Sequence, residues 1–338
     1  MAQVAVLNAG GWGTALAVVL ARAGHHVRLW ARRPEQATLL AAARTNEAYL
    51  PGVTLPPAVL PTGDLQEAVS GSTAVVLVPI SVALRELAHR LSPILPDDAL
   101  VVHGTKGLER ESLLRLSEVI EQELRPTHHG RVAALSGPNH AEEVGRGIPA
   151  AAVVASPDEV SVARLQAILS GRTFRVYTNA DIIGVELCGA LKNVVALATG
   201  IGDGLGGGDN ARAALITRSL AEIGRLVVAA GGRAETVAGL AGVGDLVATC
   251  TSRHSRNRRA GEQIGRGVPL DEVLSASAQV VEGVPATKAA LALARRYGVS
   301  MPIAEQTHAV LFEGRNPHDA MTELMARDPT AEHWGRVP

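Results

Sequence analysis

Cysteine is nearly absent from this 338-residue chain. Cys188 and Cys250 are the two it has, too few for a disulfide-stapled scaffold or a cysteine-rich zinc protein. Aromatic residues are scarce as well, with three Trp, three Tyr and two Phe. Single-stranded nucleic acids are held by stacking on such side chains. Neither sign of charge is in excess: 32 basic residues face 33 acidic ones, for a formal net charge of −1. That removes the drive for non-specific nucleic-acid binding. No apolar run reaches the ~18–20 residues of a membrane span, and the first residues lack the basic start and apolar block of a signal peptide. The expectation is therefore a cytoplasmic protein with no nucleic-acid partner, no stable membrane insertion and no metal. Lysine is the last scarcity. Lys106, Lys192 and Lys288 are the only three, and arginine supplies the other positive charges. Arginine stays protonated, whereas a lysine releases its proton where its surroundings favour the amine.

Hydrophobic residues make up 47% of the chain and charged residues 19%, enough to bury a sizeable core. The length suggests about two domains. Strands are expected at Val4–Leu7, Val27–Ala31, Ala74–Val78, Ala99–His103, Val132–Leu135, Ala151–Ala155 and Thr173–Tyr177, with a weaker one near Val59. These runs are apolar throughout, the pattern of strands covered on both faces in a parallel sheet. Helices are expected between them at Thr14–Ala23, Pro34–Arg44, Val82–Leu91, Glu111–Leu124 and Glu159–Leu169. Strand and helix in strict turn imply right-handed crossovers and a doubly wound sheet. After about Asp181 the strand signal fades. Ile182–Thr199, Ala211–Ala230, Leu270–Ser275, Thr287–Tyr297 and Glu305–Phe312 read as helices, with glycine-rich joints at Gly202–Gly208 and Gly239–Gly244. The expected fold class is α/β plus all-α. A Rossmann-like dinucleotide-binding domain covers 1–180 and a helical substrate-binding domain covers 181–338.

The first strand runs into Asn8-Ala9-Gly10-Gly11-Trp12-Gly13-Thr14-Ala15 and then an apolar helix. This is the context of a dinucleotide fingerprint. Gly10 lets the backbone approach a pyrophosphate, Gly13 allows close helix–strand packing, and the helix N-terminus offers free N–H donors. Asn8 replaces the first glycine of the pattern and tolerates left-handed backbone angles better than most residues. The second strand ends in Arg32-Arg33 rather than in the acid that holds the ribose of NAD. Two guanidiniums suit a 2′-phosphate, so NADP is the expected cofactor, with NAD second. Glu35 is also placed to reach a ribose hydroxyl.

Two further loops follow strands. His103-Gly104-Thr105-Lys106-Gly107 frees Lys106 between glycines at the carboxyl end of the sheet, where ligands bind in open α/β folds. Ser136-Gly137-Pro138-Asn139 opens a helix and offers N–H donors to a substrate or a carboxamide. In the helical half, Val185, Cys188, Lys192, Val195 and Thr199 share one face of an ideal helix. There, desolvation and repulsion from Lys106 or Arg256 would favour the neutral amine of Lys192. A lysine beside an apolar stripe also snorkels to the surface. Asp245 is a lone carboxylate in the apolar run from Gly242 to Cys250, and Ser255-Arg256-Asn257-Arg258-Arg259 gathers groups that suit a small phosphate dianion.

In this order, Gly-Gly-Trp-Gly-Thr-Ala, Gly-Thr-Lys-Gly-Leu-Glu, Ser-Gly-Pro, Ala-Leu-Lys-Asn-Val, Gly-Val-Gly-Asp-Leu, Ser-Arg-Asn-Arg and Val280-Val281-Glu282-Gly283 resemble bacterial-type glycerol-3-phosphate dehydrogenases along nearly the whole chain. The resemblance implies interconversion of dihydroxyacetone phosphate and sn-glycerol 3-phosphate with NAD(P)H, supplying the glycerol backbone of phospholipids. It implies cofactor contacts from Gly11, Trp12, Arg32, Arg33, Lys106, Ala141, Arg256, Val280 and Glu282, beside Gly10 and Gly13 of the turn. It implies a substrate set of Lys106, Gly137, Lys192, Asp245, Ser255, Arg256 and Asn257. Lys192 matches the family's proton-transfer lysine, with Lys106 and Asp245 in supporting catalytic roles. Asn139-His140 departs from the family's usual hydroxyl residue and Phe. A homodimer is expected, because the helical half carries ample apolar surface. Another hydroxyacid dehydrogenase of this two-domain plan and a non-catalytic NADPH sensor are the alternatives. The phosphate cluster disfavours the first and the two lysines disfavour the second.

Overall fold

The first strand sets the layering of the N-terminal unit. In β1 (Gln3–Leu7), Val4 and Val6 point into one core and Ala5 and Leu7 into another, all four fully buried. A strand whose neighbouring side chains are both apolar needs cover on both faces, and helices provide it. The structure is a computed structural model that describes residues 1–252, 255–276, 280–329 and 331–332. It divides into two units, Met1–Glu109 with Leu114–Ile182 and Arg110–Leu113 with Ile183–Pro338.

The first unit adds β2 (His26–Trp30), β3 (Thr45–Asn46), β4 (Leu50–Thr54), β5 (Val59–Thr62), β6 (Ala74–Leu77), β7 (Leu100–His103), β8 (Ala133–Ser136), β9 (Ala150–Ala155) and β10 (Phe174–Asn179). Eight strands form one sheet in the order β10-β9-β8-β7-β6-β1-β2-β5, and β3 pairs with β4 in a separate antiparallel hairpin. Its helices are α1 (Gly11–Arg22), α2 (Pro34–Ala43), α3 (Leu65–Val69), α4 (Leu84–Leu91), α5 (Leu116–Glu123), α6 (Ala141–Arg146) and α7 (Glu159–Leu169). From β1 the chain continues to β2 on one side, while β6 pairs on the other. This reversal is the switch point at which open sheets bind ligands.

Three expectations need correction. The sheet is not parallel throughout. β9 runs antiparallel to β8, with Ser136 opposite Val153. The short α6 leaves the chain at the end of the sheet where β8 finished, so β9 must run back. The β3–β4 hairpin carries no strong alternation and was not foreseen. The helix expected over Glu111–Leu124 begins only at Leu116. Leu113 has φ 61°, and Arg110–Leu113 belong to the helical unit.

That second unit consists of α8 (Ile182–Gly204), α9 (Gly208–Ala229), α10 (Ala234–Val237), a π turn at Leu240–Gly244, α11 (Asp245–Thr251), α12 (Arg256–Gly265), α13 (Leu270–Ser275), α14 (Gly283–Tyr297), α15 (Pro302–Phe312) and α16 (Pro317–Met325). Every residue of α8 from Gly184 to Ile201 is buried, so burial runs round the whole helix and not along one stripe. With 23 residues and a mean hydropathy of 1.6, α8 is long and apolar enough to cross a membrane, contrary to the expectation from the sequence. It is instead 89% buried over its most apolar stretch, the setting of a core helix.

Helices α8 and α12 meet backbone to backbone. A Cβ at Gly200 would lie 2.0 Å from the Arg258 carbonyl, one at Gly204 2.3 Å from that of Glu262, and one at Gly261 2.1 Å from that of Leu197. Only glycine permits such an approach. It locks the helix that carries Lys192 to the helix that begins at Arg256.

Candidate functional site

In the first unit the glycine loop is itself the first turn of α1, which starts at Gly11 and not at Thr14. A Cβ at Gly13 would meet the Asn8 carbonyl at 2.0 Å, and one at Gly11 the Tyr49 carbonyl at 2.7 Å. Asn8 takes φ 102°, the conformation that glycine would supply, and its Nδ2 donates to the Val78 carbonyl at 3.1 Å. The Gly10 cap makes no side-chain hydrogen bond, and the first turn holds no acid. The N–H groups and the positive end of α1 are thus left for an anion. These features fit the pyrophosphate of a dinucleotide. Ala141 opens α6 with its Cβ 3.8 Å from where a Gly11 Cβ would lie. The indole Nε1 of Trp12 would lie 2.9 Å from a Gly104 Cβ. Arg32 and Arg33 are exposed just beyond β2. The Lys106 ammonium donates to the Gly137 carbonyl at 3.1 Å. Gly107 and Gly137 have φ of 124° and 134°, which shape both loops. The switch point therefore gathers the N-terminal candidates.

In the helical unit, Lys192 is 6% exposed and Asp245 2%. The ammonium is paired with Asp245 Oδ1 and donates to Thr249 Oγ1 at 2.8 Å, while the threonine hydroxyl donates to the Asp245 carbonyl at 2.6 Å. The sequence led us to expect repulsion from a second cation, and the family resemblance implies that Asp245 orients Lys192 or a substrate hydroxyl; the structure pairs Asp245 with Lys192. Burying two charges costs several kcal/mol per ion before their attraction is counted, so the pair is a poor choice for stability alone. Cys188 and Cys250 are buried too, and burial pushes the Cys250 thiol up to about 11. Such a thiol is no nucleophile.

Ser255 caps α12, its hydroxyl accepting from Arg258 N at 3.2 Å. The Asn257 amide donates to Asn193 Oδ1 at 2.9 Å and accepts from Gly283 N at 2.9 Å, joining α8, α12 and the start of α14. Arg256 is exposed and donates to the Val280 carbonyl at 3.3 Å. Glu282 precedes α14. Burial raises its carboxyl above the usual range, with Arg256 and Arg110 pulling it back. Asp203 accepts from Arg258 Nε at 2.7 Å and Arg212 Nε at 2.8 Å and so braces α12 from below.

Residues 3–162 match the family described as the N-terminus of NAD-dependent glycerol-3-phosphate dehydrogenase, and residues 181–322 match its C-terminus. The chain belongs to that family. It is 54% identical over 330 residues to a glycerol-3-phosphate dehydrogenase (NAD(P)+) of Moorella thermoacetica, covering 98% of this chain and 97% of the other. The corresponding protein of Bacillus velezensis is 48% identical over 98% of this chain and 96% of its own. The crystal structure of the Coxiella burnetii glycerol-3-phosphate dehydrogenase superposes with a TM-score of 0.90 at 44% identity, covering 96% of this chain and 99% of that one. A ketopantoate reductase from Ralstonia eutropha shares the fold alone, at 19% identity and a TM-score of 0.60 over 94% of this chain and 99% of its own.

Against this family frame, Thr249, Asn193 and Asp203 are the residues that sequence reasoning passed over. Thr249 lies one helical turn after Asp245, so the i, i+4 spacing put both on one face of α11. Asn193 and Asp203 act through partners 64 and 55 residues away, and no local pattern announces such pairings.

Proposed function

We propose that this dehydrogenase interconverts dihydroxyacetone phosphate and sn-glycerol 3-phosphate, with Lys192 moving the proton. The observation that carries the reading is the buried Lys192, held by Asp245 and Thr249 in a chain that matches the family over both halves. A bound nicotinamide supplies or accepts the hydride at substrate C2. In the reducing direction the Lys192 ammonium polarises the ketone and gives a proton to the developing alkoxide; in the oxidising direction its neutral amine takes that proton back. Asp245 and Thr249 each accept a hydrogen bond from the ammonium, which fixes its position. Lys106 helps to fix the substrate and to balance negative charge. Arg256, Ser255 and Asn257 hold the phosphate, and that binding energy positions C2.

Gly10, Gly11, Gly13, Trp12 and Ala141 would hold the cofactor in the sheet unit; in the helical unit Val280 and Glu282 are the cofactor contacts that the family resemblance implies. Exposed Arg32 and Arg33 favour NADP through its 2′-phosphate. The product would supply glycerophospholipid synthesis in the cytoplasm, and the working assembly would be a homodimer. Turnover followed by the absorbance of reduced nicotinamide tests the reading. Dihydroxyacetone phosphate should be reduced at least about a hundredfold more efficiently than dihydroxyacetone, because the second lacks the positioning phosphate. Equal efficiency would reject the phosphate site. Arg32→Ala should lower the NADPH preference about tenfold, and an unchanged NADPH/NADH ratio would remove that assignment.

A further inference from the structure

A groove of about 1070 Å³ runs through the helical unit between α8, α9, α15 and α16. None of Lys192, Asp245, Ser255, Arg256 and Asn257 lines it. Ile201, Leu205, Leu215, Val310, Met321 and Leu324 form apolar walls, and methionine adapts to a chain of variable shape. The volume is at the top of the ~300–1,000 Å³ range of small-molecule pockets.

Arg218, Arg225 and Arg327 also line the groove; Arg225 is attracted by Glu222 and repelled more weakly by Arg218 and Arg327. Arg225 donates to the Ser300 carbonyl at 2.8 Å and Arg218 to the Glu332 carbonyl at 3.1 Å. Among the described residues, none of the three forms an ion pair with a carboxylate. Of the acids in the groove wall, Glu222 attracts Arg225 without forming an ion pair with it among the described residues. Glu222 accepts from Ile303 N at 2.8 Å and Ala304 N at 3.4 Å. Asp203 holds Arg212 and Arg258. Asp328 lines the groove with no ion pair among the described residues. Three guanidiniums beside a long apolar surface are complementary to one kind of molecule.

We propose that this groove binds a single-chain amphiphile with an anionic head group, the hydrocarbon along the apolar walls and the head among Arg218, Arg225 and Arg327. A neutral lipid would leave the guanidiniums unmatched, and a small phosphate would leave the walls bare. A second copy fits less well, because it would have to bury Arg218, Arg225 and Arg327 without carboxylate ion pairs of their own among the described residues, at a desolvation cost. The proposal goes beyond the dehydrogenase reaction and stands apart from it.

Calorimetric titration of the full chain with decanoate, decyl phosphate and decanol tests it. Both anions should bind saturably, one per chain, at least about tenfold more tightly than decanol. Lengthening the chain by two methylenes should tighten binding by a further factor of about ten. Arg218→Gln and Arg225→Gln should each weaken the anions about tenfold and leave decanol unchanged. Turnover of dihydroxyacetone phosphate by Arg218→Gln should stay within about twofold of wild type. Ala214→Trp, which fills the groove, should abolish binding of all three. Tighter binding of decanoate would assign a fatty carboxylate, and of decyl phosphate a phosphate-headed lipid; either supports the site. Absence of saturable binding, decanol binding as tightly as the anions, or a dimer that dissociates on Ala214→Trp while no probe binds wild type would overturn it.

Discussion

Lys192 cannot be understood without Thr249. The threonine oxygen accepts from the ammonium while its proton goes to the Asp245 backbone carbonyl, so the helix itself fixes the oxygen that meets the ammonium. Thr249→Val should lower kcat by about tenfold, the scale of one lost hydrogen bond to a charged group, with KM for dihydroxyacetone phosphate little changed. Thr249→Ser should recover most of that loss. A similar loss in both variants would mean that the methyl packing matters and the oxygen does not. Glu222 shows the opposite treatment of a buried acid. Burial pushes its carboxyl up to about 7 from 4.5, Glu305 adds to the rise, and the N–H groups of Ile303 and Ala304 with Arg225 oppose it. Between those two values the folded chain keeps a proton that the unfolded chain releases. Stability from this group is therefore fully present below about 4.5 and falls as pH rises towards 7. Glu222→Gln should match wild type near pH 5 and exceed it by about 2–3 kcal/mol at pH 8. Urea unfolding at both pH values checks this, and a constant difference would place the ionisation elsewhere.

At the scale of elements, the contact between α8 and α12 joins the helix that carries Lys192 to the helix that begins at Arg256. Gly261→Ala would put a methyl 2.1 Å from the Leu197 carbonyl. The helices must separate, at a cost of about 1–3 kcal/mol in stability, and KM for dihydroxyacetone phosphate should rise more than kcat falls. A variant with unchanged KM would show that Arg256 and its neighbours do not depend on this packing. Such contacts explain what could be read from the chain and what could not. Strands β1, β6 and β7 were legible because a run of Val, Leu and Ala has few other stable uses. The antiparallel turn to β9 was not, since direction depends on where α6 leaves the chain. The start of α1 at Gly11 was missed because glycine is a poor helix former in isolation; here close packing against Asn8 and Tyr49 selects it. Lys192 and Asp245 were legible as rare charges in apolar runs, and the family resemblance offered Lys192 or a substrate hydroxyl as the partner of Asp245; the fold makes it Lys192, across 53 residues.

At the scale of the whole molecule, the candidate residues fall in two units of different construction. The sheet unit brings Gly10, Gly11, Gly13, Lys106 and Gly137 to its switch point, and the helical unit buries Lys192. Overall composition identified neither, and α8 shows the limit of hydropathy, since a helix apolar enough for a membrane is here the core around a lysine. The account rests on that lysine. Steady-state reduction of dihydroxyacetone phosphate by Lys192→Ala, beside a direct measurement of NADPH affinity, tests it most directly. A kcat lower by about a thousandfold, with NADPH affinity within about twofold of wild type, is the predicted result. Turnover within about tenfold of wild type, with the cofactor still bound, would contradict it.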